Sequence, residues 1–220
     1  MGKSPLPFMT MTDLQGQSLQ TPMTVLALNG SLRAGSFNGH ALAAAEILAP
    51  HGMSMEFSCC TGIPLFNEDE ERLGIPPVVE LLGDRIRSAN GLVIASPEYN
   101  FSISGVLKNT IDWLSRLPSR PLKGKPVAIL SATAGAYGGA RHQYELRKVL
   151  LGLDALVLQR PEVLIGNCRA KFDENGNLTD AATQQAIASA MQAFAAWISL
   201  LESGSSAVTT DAATHIALAV

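Results

Sequence analysis

Short apolar runs recur along the chain, each followed by a stretch with helical spacing. MTVLAL (23–28) opens the pattern and stops at Asn29-Gly30. MSMEFSC (53–59) alternates weakly, whereas GLVIAS (91–96) and PVAILSAT (126–133) are continuously apolar or small. ALVLQRPEVLI (155–165) is a fifth run, interrupted near Pro161. Runs this short and this continuous predict strands buried on both faces. Between them the spacing predicts helices over 38–49, 78–89, 104–117 and from about 140 to 151, then a long one over 179–201. Leu107, Ile111 and Leu114 share one face of the 104–117 helix, and Ile187, Met191, Phe194, Ile198 and Leu201 share one face of the last. Residues 61–77, with three prolines, two glycines and an acidic cluster, read as a long surface loop. The chain thus divides into a flexible leader (1–22), one domain (23–201) and a poorly ordered tail (202–220).

Strands alternating with helices predict an α/β domain with a parallel sheet covered on both faces. Such sheets bind ligands beyond the carboxyl ends of their strands. The loops after the first, third and fourth strands are therefore where chemistry is expected.

Composition narrows the classes. The chain has 220 residues, a net charge of −3 and no basic block, which gives nucleic-acid binding little electrostatic support. No run of about 18 apolar residues is present, so no membrane span is expected, and the N-terminus lacks the apolar core of a secretory signal. Cys59, Cys60 and Cys168 show no C-x-x-C spacing. They read as reduced, buried thiols of a cytoplasmic protein.

The first loop is GSLRAGSFN (30–38). Gly30 and Gly35 have the G-x-x-x-x-G spacing of a P-loop, but Ser36-Phe37 stands where a nucleotide triphosphatase needs Lys and then Ser or Thr. The remaining chemistry suits a single terminal phosphate. Ser31 and Ser36 offer hydroxyls, Arg33 a planar cation, Asn38 an amide, and the next helix its N-terminus. Helix capping alone explains Ser36 or Asn38 but not Arg33. The second loop, SPEYNFSISG (96–105), sets exposed main chain beside Tyr99 and Phe101, an arrangement suited to the edge and face of a flat heteroaromatic ring. The third, SATAGAYGGARH (131–142), has small residues and glycines that let backbone approach a planar group.

Taken together, GSLRAGSFN, PEYNFSISGVLKNTIDWLSR and SATAGAYGGARHQYELRKVL resemble the NADPH-dependent FMN reductase family. These are flavodoxin-like proteins that include quinone, chromate and azo-dye reductases. IPLFNEDEE (63–71) is similar to the family's second loop, and the resemblance covers about residues 23–165. It implies a flavodoxin-like three-layer sandwich with a five-stranded parallel sheet in the order 2-1-3-4-5. It also implies bound FMN. Ser31, Arg33, Ser36, Phe37 and Asn38 would form the phosphate loop. Pro97, Glu98, Tyr99 and Asn100 would run along the isoalloxazine ring, with Ser131, Gly135, Gly138 and Gly139 in the third loop. The chain departs from the family at 101–105, where Phe101 narrows the expected pocket. Relatives of this kind are dimers or tetramers with FMN near a subunit interface, and residues 67–71 and 104–117 are candidates for that contact.

The implied activity is transfer of electrons from NADPH or NADH through FMN to a quinone, azo compound, chromate or free flavin, in ping-pong order. The cofactor carries the chemistry, so no side chain is expected to be catalytic. Glu98 is expected to hold loop shape. His40 and His142 read as helix or surface residues, and Trp113 and Trp197 as core or interface aromatics. The rival readings are a flavodoxin-type electron carrier serving a protein partner, and a flavin-free scaffold.

Overall fold

The computed structural model describes residues 22–217, with side chains as far as Gly204. All but Pro22 of the expected leader, and positions 218–220 of the expected tail, lie outside the described residues. In chain order the elements are β1 (Met23–Asn29), α1 (Phe37–Ile47), β2 (Met53–Cys59), α2 (Glu68–Leu73), α3 (Pro77–Ser88) and β3 (Gly91–Ala95). A hairpin of β4 (Glu98–Tyr99) and β5 (Ser102–Ile103) follows, then α4 (Gly105–Leu114), β6 (Pro126–Ala132) and α5 (Ala140–Leu151). β7 (Leu156–Val157), β8 (Val163–Ile165) and α6 (Ala181–Ala217) complete the chain.

The sheet runs β2-β1-β3-β6-β7, with β8 also on the edge of β6, and every pairing is parallel. This is the flavodoxin-like order, its fifth strand split into two pieces. Side chains alternate between two cores. Val25, Ala27, Val93, Ala95, Ala128 and Leu130 face α1 and α6, while Leu26, Leu28, Leu92, Ile94, Val127 and Ile129 face α3, α4 and α5. Both faces are covered, which explains why these strands read as continuous apolar runs.

Several elements differ from the sequence reading. The loop over 61–77 contains α2, a helix with no buried residue. It is held locally: the Asn67 side chain accepts from Asp69 N (2.9 Å) and Glu70 N (3.0 Å), and Glu68 to Glu71 sit in the first turn, where the helix dipole favours acid. The segment before it docks on α4, where Trp113 Nε1 and Asn109 Nδ2 both donate to Pro64 O at 2.8 Å. The second loop contains the β4–β5 hairpin, and α6 continues past Leu201 to Ala217. Residues 181–204 of α6 are long and apolar enough to cross a membrane by length and composition alone, a test that the core helix of an α/β domain also passes. Its apolar stripe, Ile187, Met191, Phe194 and Ile198, is buried against the sheet. Cys59 is exposed, not buried as expected.

Candidate functional site

Three strands deliver the site. β1 ends at Gly30, whose N–H donates to Ala95 O at the end of β3 (2.8 Å) and whose carbonyl accepts from Ser104 Oγ at the start of α4 (2.7 Å). A Cβ on Gly30 would lie 2.9 Å from both Cβ and Oγ of Ser96, so only glycine lets the two strand ends close up. The chain then turns through Ser31, whose amide donates to Asn29 Oδ1 (3.1 Å) and whose Oγ accepts from Arg33 N (3.3 Å). Ser36 caps α1 by accepting from Gly39 N (3.3 Å). The Arg33 guanidinium folds back on this loop, donating through Nε to Gly35 O at 2.9 Å and lying 5.2 Å from the centre of the Phe37 ring.

Asn38 has a different task from the one its position suggested. Its Nδ2 donates to Ala132 O (3.1 Å) and its Oδ1 accepts from Ala132 N (2.9 Å). It thereby fastens α1 to the end of β6. The capping reading accounts for Ser36, and this strand tie accounts for Asn38.

In the second loop Pro97 ends the sheet and the hairpin follows. Asn100 and Phe101 form its tip with φ of 50° and 66°. A bulky residue at positive φ is an outlier, held here by contacts made elsewhere. Arg141 supplies them: its guanidinium lies 4.0 Å from the Phe101 ring centre and 5.2 Å from that of Tyr137. Its Nη2 also reaches Glu98 Oε1 at 2.6 Å. The other Glu98 oxygen accepts from His142 N (3.3 Å), so this carboxylate joins the second loop to the start of α5.

The third loop is packed from behind. Ser131 Oγ donates to Gly138 O (2.5 Å) and accepts from Gln143 Nε2 (2.8 Å). Gly138 and Gly139 both have positive φ and lie against Leu164 and Ser131 respectively. His142 is fully buried, with Nδ1 2.9 Å from Gly139 O. Its Nε2 has no partner among the described residues, and burial pushes its pKa below the ordinary imidazole value.

These loops enclose a cavity of about 340 Å³ at the carboxyl ends of β1, β3 and β6, within the size range of small-molecule sites. Nine of the expected residues line it: Ser31, Arg33, Ser36, Phe37, Asn38, Pro97, Glu98, Tyr99 and Gly135. Four expected residues stand outside the lining. Asn100 is at the exposed hairpin tip, and Ser131, Gly138 and Gly139 are spent on loop packing. Ala132, Thr133, Ala134, Cys168 and Arg169 line it too. The last two were missed, because nothing in the local sequence after the fifth strand announces that it returns to α1. One end of the cavity offers a guanidinium, hydroxyls and the N-terminus of α1, and the other offers backbone and an aromatic ring. That donor set fits a phosphate joined to a flat ring system.

A family model of NADPH-dependent FMN reductases matches residues 23–170. The chain belongs to this family. It is therefore an oxidoreductase, with FMN as cofactor and NAD(P)H as electron donor. The chain is 49% identical over 174 residues to an NAD(P)H-dependent FMN reductase of Pseudomonas aeruginosa, a match covering 79% of this chain and 94% of the relative. It is 44% identical over 179 residues to a quinone reductase of Escherichia coli, covering 80% and 95%. Among solved structures, FerB of Paracoccus denitrificans, a flavoenzyme NAD(P)H:(acceptor) oxidoreductase, superposes with a TM-score of 0.73 at 30% identity, covering 80% of this chain and 97% of that one.

Proposed function

We propose that this chain is a cytoplasmic NAD(P)H:quinone-type reductase whose FMN lies in the cavity beyond β1, β3 and β6. The observation that carries the reading is the polarity of that cavity, cationic and hydroxyl-rich at the α1 end and backbone-lined at the other. Bound there, FMN would supply the redox chemistry between NAD(P)H and the acceptor.

The protein's own part is to bind and to orient. Arg33 and the free amides of the first turn of α1 hold the phosphate. Pro97 to Tyr99 and Thr133 to Gly135 would flank the ring. Glu98 is committed to Arg141 and to the His142 amide, so it fixes the ring-side wall and moves no proton. Donor and acceptor would use the bound flavin in turn, in ping-pong order. The chain works as a homodimer or homotetramer, with α2 and α4 at the contact; light scattering of the purified protein tests this.

A visible spectrum of the purified protein, repeated after anaerobic addition of NADPH and then NADH, tests the activity. Flavin absorbance near ~450 nm that bleaches, and returns with a quinone, is expected of a flavin that carries the hydride. Flavin that stays unbleached with both donors overturns the reductase reading in favour of an electron carrier. Protein that takes up no FMN overturns the cofactor site itself. A parallel screen of quinones, azo dyes, chromate and free flavin ranks the acceptors.

A further inference from the structure

The strongest unexplained group in the molecule is Arg169. It lines the cavity together with Arg33, yet it lies on a distant segment, the helical turn Cys168–Ala170. That turn is fixed from two sides. Cys168 N donates to Thr133 O (3.0 Å) and Asn167 N to Gly135 O (3.0 Å), so the turn is sewn to the third loop. Gly166 lies so close that a Cβ there would come 2.2 Å from Ala136 O. On the other side Phe172 packs on Phe37, ring centres 5.7 Å apart, which ties the segment to the first turn of α1. Arg169 is therefore carried to the cavity wall by a rigid strap spanning the third loop and the phosphate loop.

The charge around it is unbalanced. Among the described residues Arg169 forms no ion pair. Glu98, the one carboxylate among the described residues that line the cavity, is committed to Arg141. Lys171 and Asp180 on the same strap pair with each other at 3.5 Å. Arg33 donates to Gly35 O, so part of its hydrogen-bonding capacity is already spent. Burial pushes the Cys168 thiol pKa up, against the opposing pull of the nearby Arg169 and Arg33 cations. Two guanidiniums thus share one small cavity with no free carboxylate among the described residues that line it. A phosphate monoester, close to a dianion at neutral pH, is the ligand chemistry that balances them.

We infer that Arg169 is a second phosphate-positioning residue, acting on the FMN phosphate together with Arg33. This rests on the assignment of FMN to the cavity. The sequence loop 30–38 then supplies only half of the anion site, and the strap after β8 supplies the rest.

The test is titration of the flavin-free protein with FMN and with riboflavin, which lacks the phosphate, read by quenching of flavin fluorescence. Arg169→Gln is expected to weaken FMN binding about ten-fold, the low end for a hydrogen bond to a charged group, and to leave riboflavin binding unchanged. Arg169→Lys is expected to restore part of the loss. Thermal unfolding of each flavin-free variant should match that of the wild type, since the side chain is exposed. Wild-type FMN affinity in Arg169→Gln overturns the inference. So does an equal loss for FMN and riboflavin, which would make the residue structural. So does unchanged FMN affinity with a raised KM for NADPH but not NADH, which would place the residue on the nucleotide's extra phosphate. Failure of the wild type to bind FMN would instead sink the assignment of the cavity.

Discussion

Arg33 was legible from sequence because a cation in a turn between a strand and a helix has no packing task. Its side chain now has a defined place against Gly35 and Phe37. Arg33→Ala is expected to weaken FMN binding by roughly 1.5–3 kcal/mol, the scale of a hydrogen bond to a charged group, measured by fluorescence titration. The cysteines were harder to read. Cys60 is buried, and burial pushes its thiol up to about 11, so it stays protonated at neutral pH. Cys168 is buried too, whereas Cys59 is exposed at the end of the β2 edge strand. A maleimide should therefore label one thiol in the native protein, at Cys59, and all three in denaturant; labelling of Cys60 in the native state would contradict this packing. Asn38 shows the limit of local reading. An amide beside a phosphate loop looks like a ligand, and only the tertiary fold reveals that Ala132, 94 residues away, takes both of its hydrogen bonds.

At the level of elements, that same pair holds α1 in register with β6. Asn38→Ala leaves the Ala132 N–H and C=O buried without their partners, which should cost about 1–3 kcal/mol in urea unfolding of the flavin-free protein. The main strands were legible because burial on both faces leaves one unambiguous signal, a short continuous apolar run. α2 was not, because it has no apolar stripe and rests on the Asn67 cap and its acidic first turn; that cap, followed by Glu68 to Glu71, was the available sign. The β4–β5 hairpin was hidden because its tip places phenylalanine at φ 66°, a position a sequence reader reserves for glycine or asparagine. The expected fifth strand is broken into β7 and β8, both paired with β6, on either side of Gln159 to Glu162.

Across the whole molecule, acid sensitivity follows from His142. Its pKa is lowered by burial, against the opposing pull of its bond to Gly139 and the charge of Glu98. Because the folded value lies below the unfolded value of about 6.5, the unfolded chain takes up the proton first as pH falls. The stability that the neutral ring contributes is complete above that unfolded value and is lost progressively as pH drops toward the folded one. Melting temperature should therefore decline between pH 7 and pH 5, and His142→Gln should flatten that part of the profile. Asp173 and Asp180 do not interfere, since hydrogen bonds from Asn177 and Thr183 lower their pKa values from 3.8. Their contributions are lost only in stronger acid. The Arg141 side chain, stacked between Phe101 and Tyr137 and paired with Glu98, carries one more consequence. Two of the loops that border the cavity thus lean on a single guanidinium outside it, so neither can be reshaped alone. Libraries aimed at reshaping these loops should vary positions 101, 137 and 141 together, because a change in one loop withdraws the support of the other.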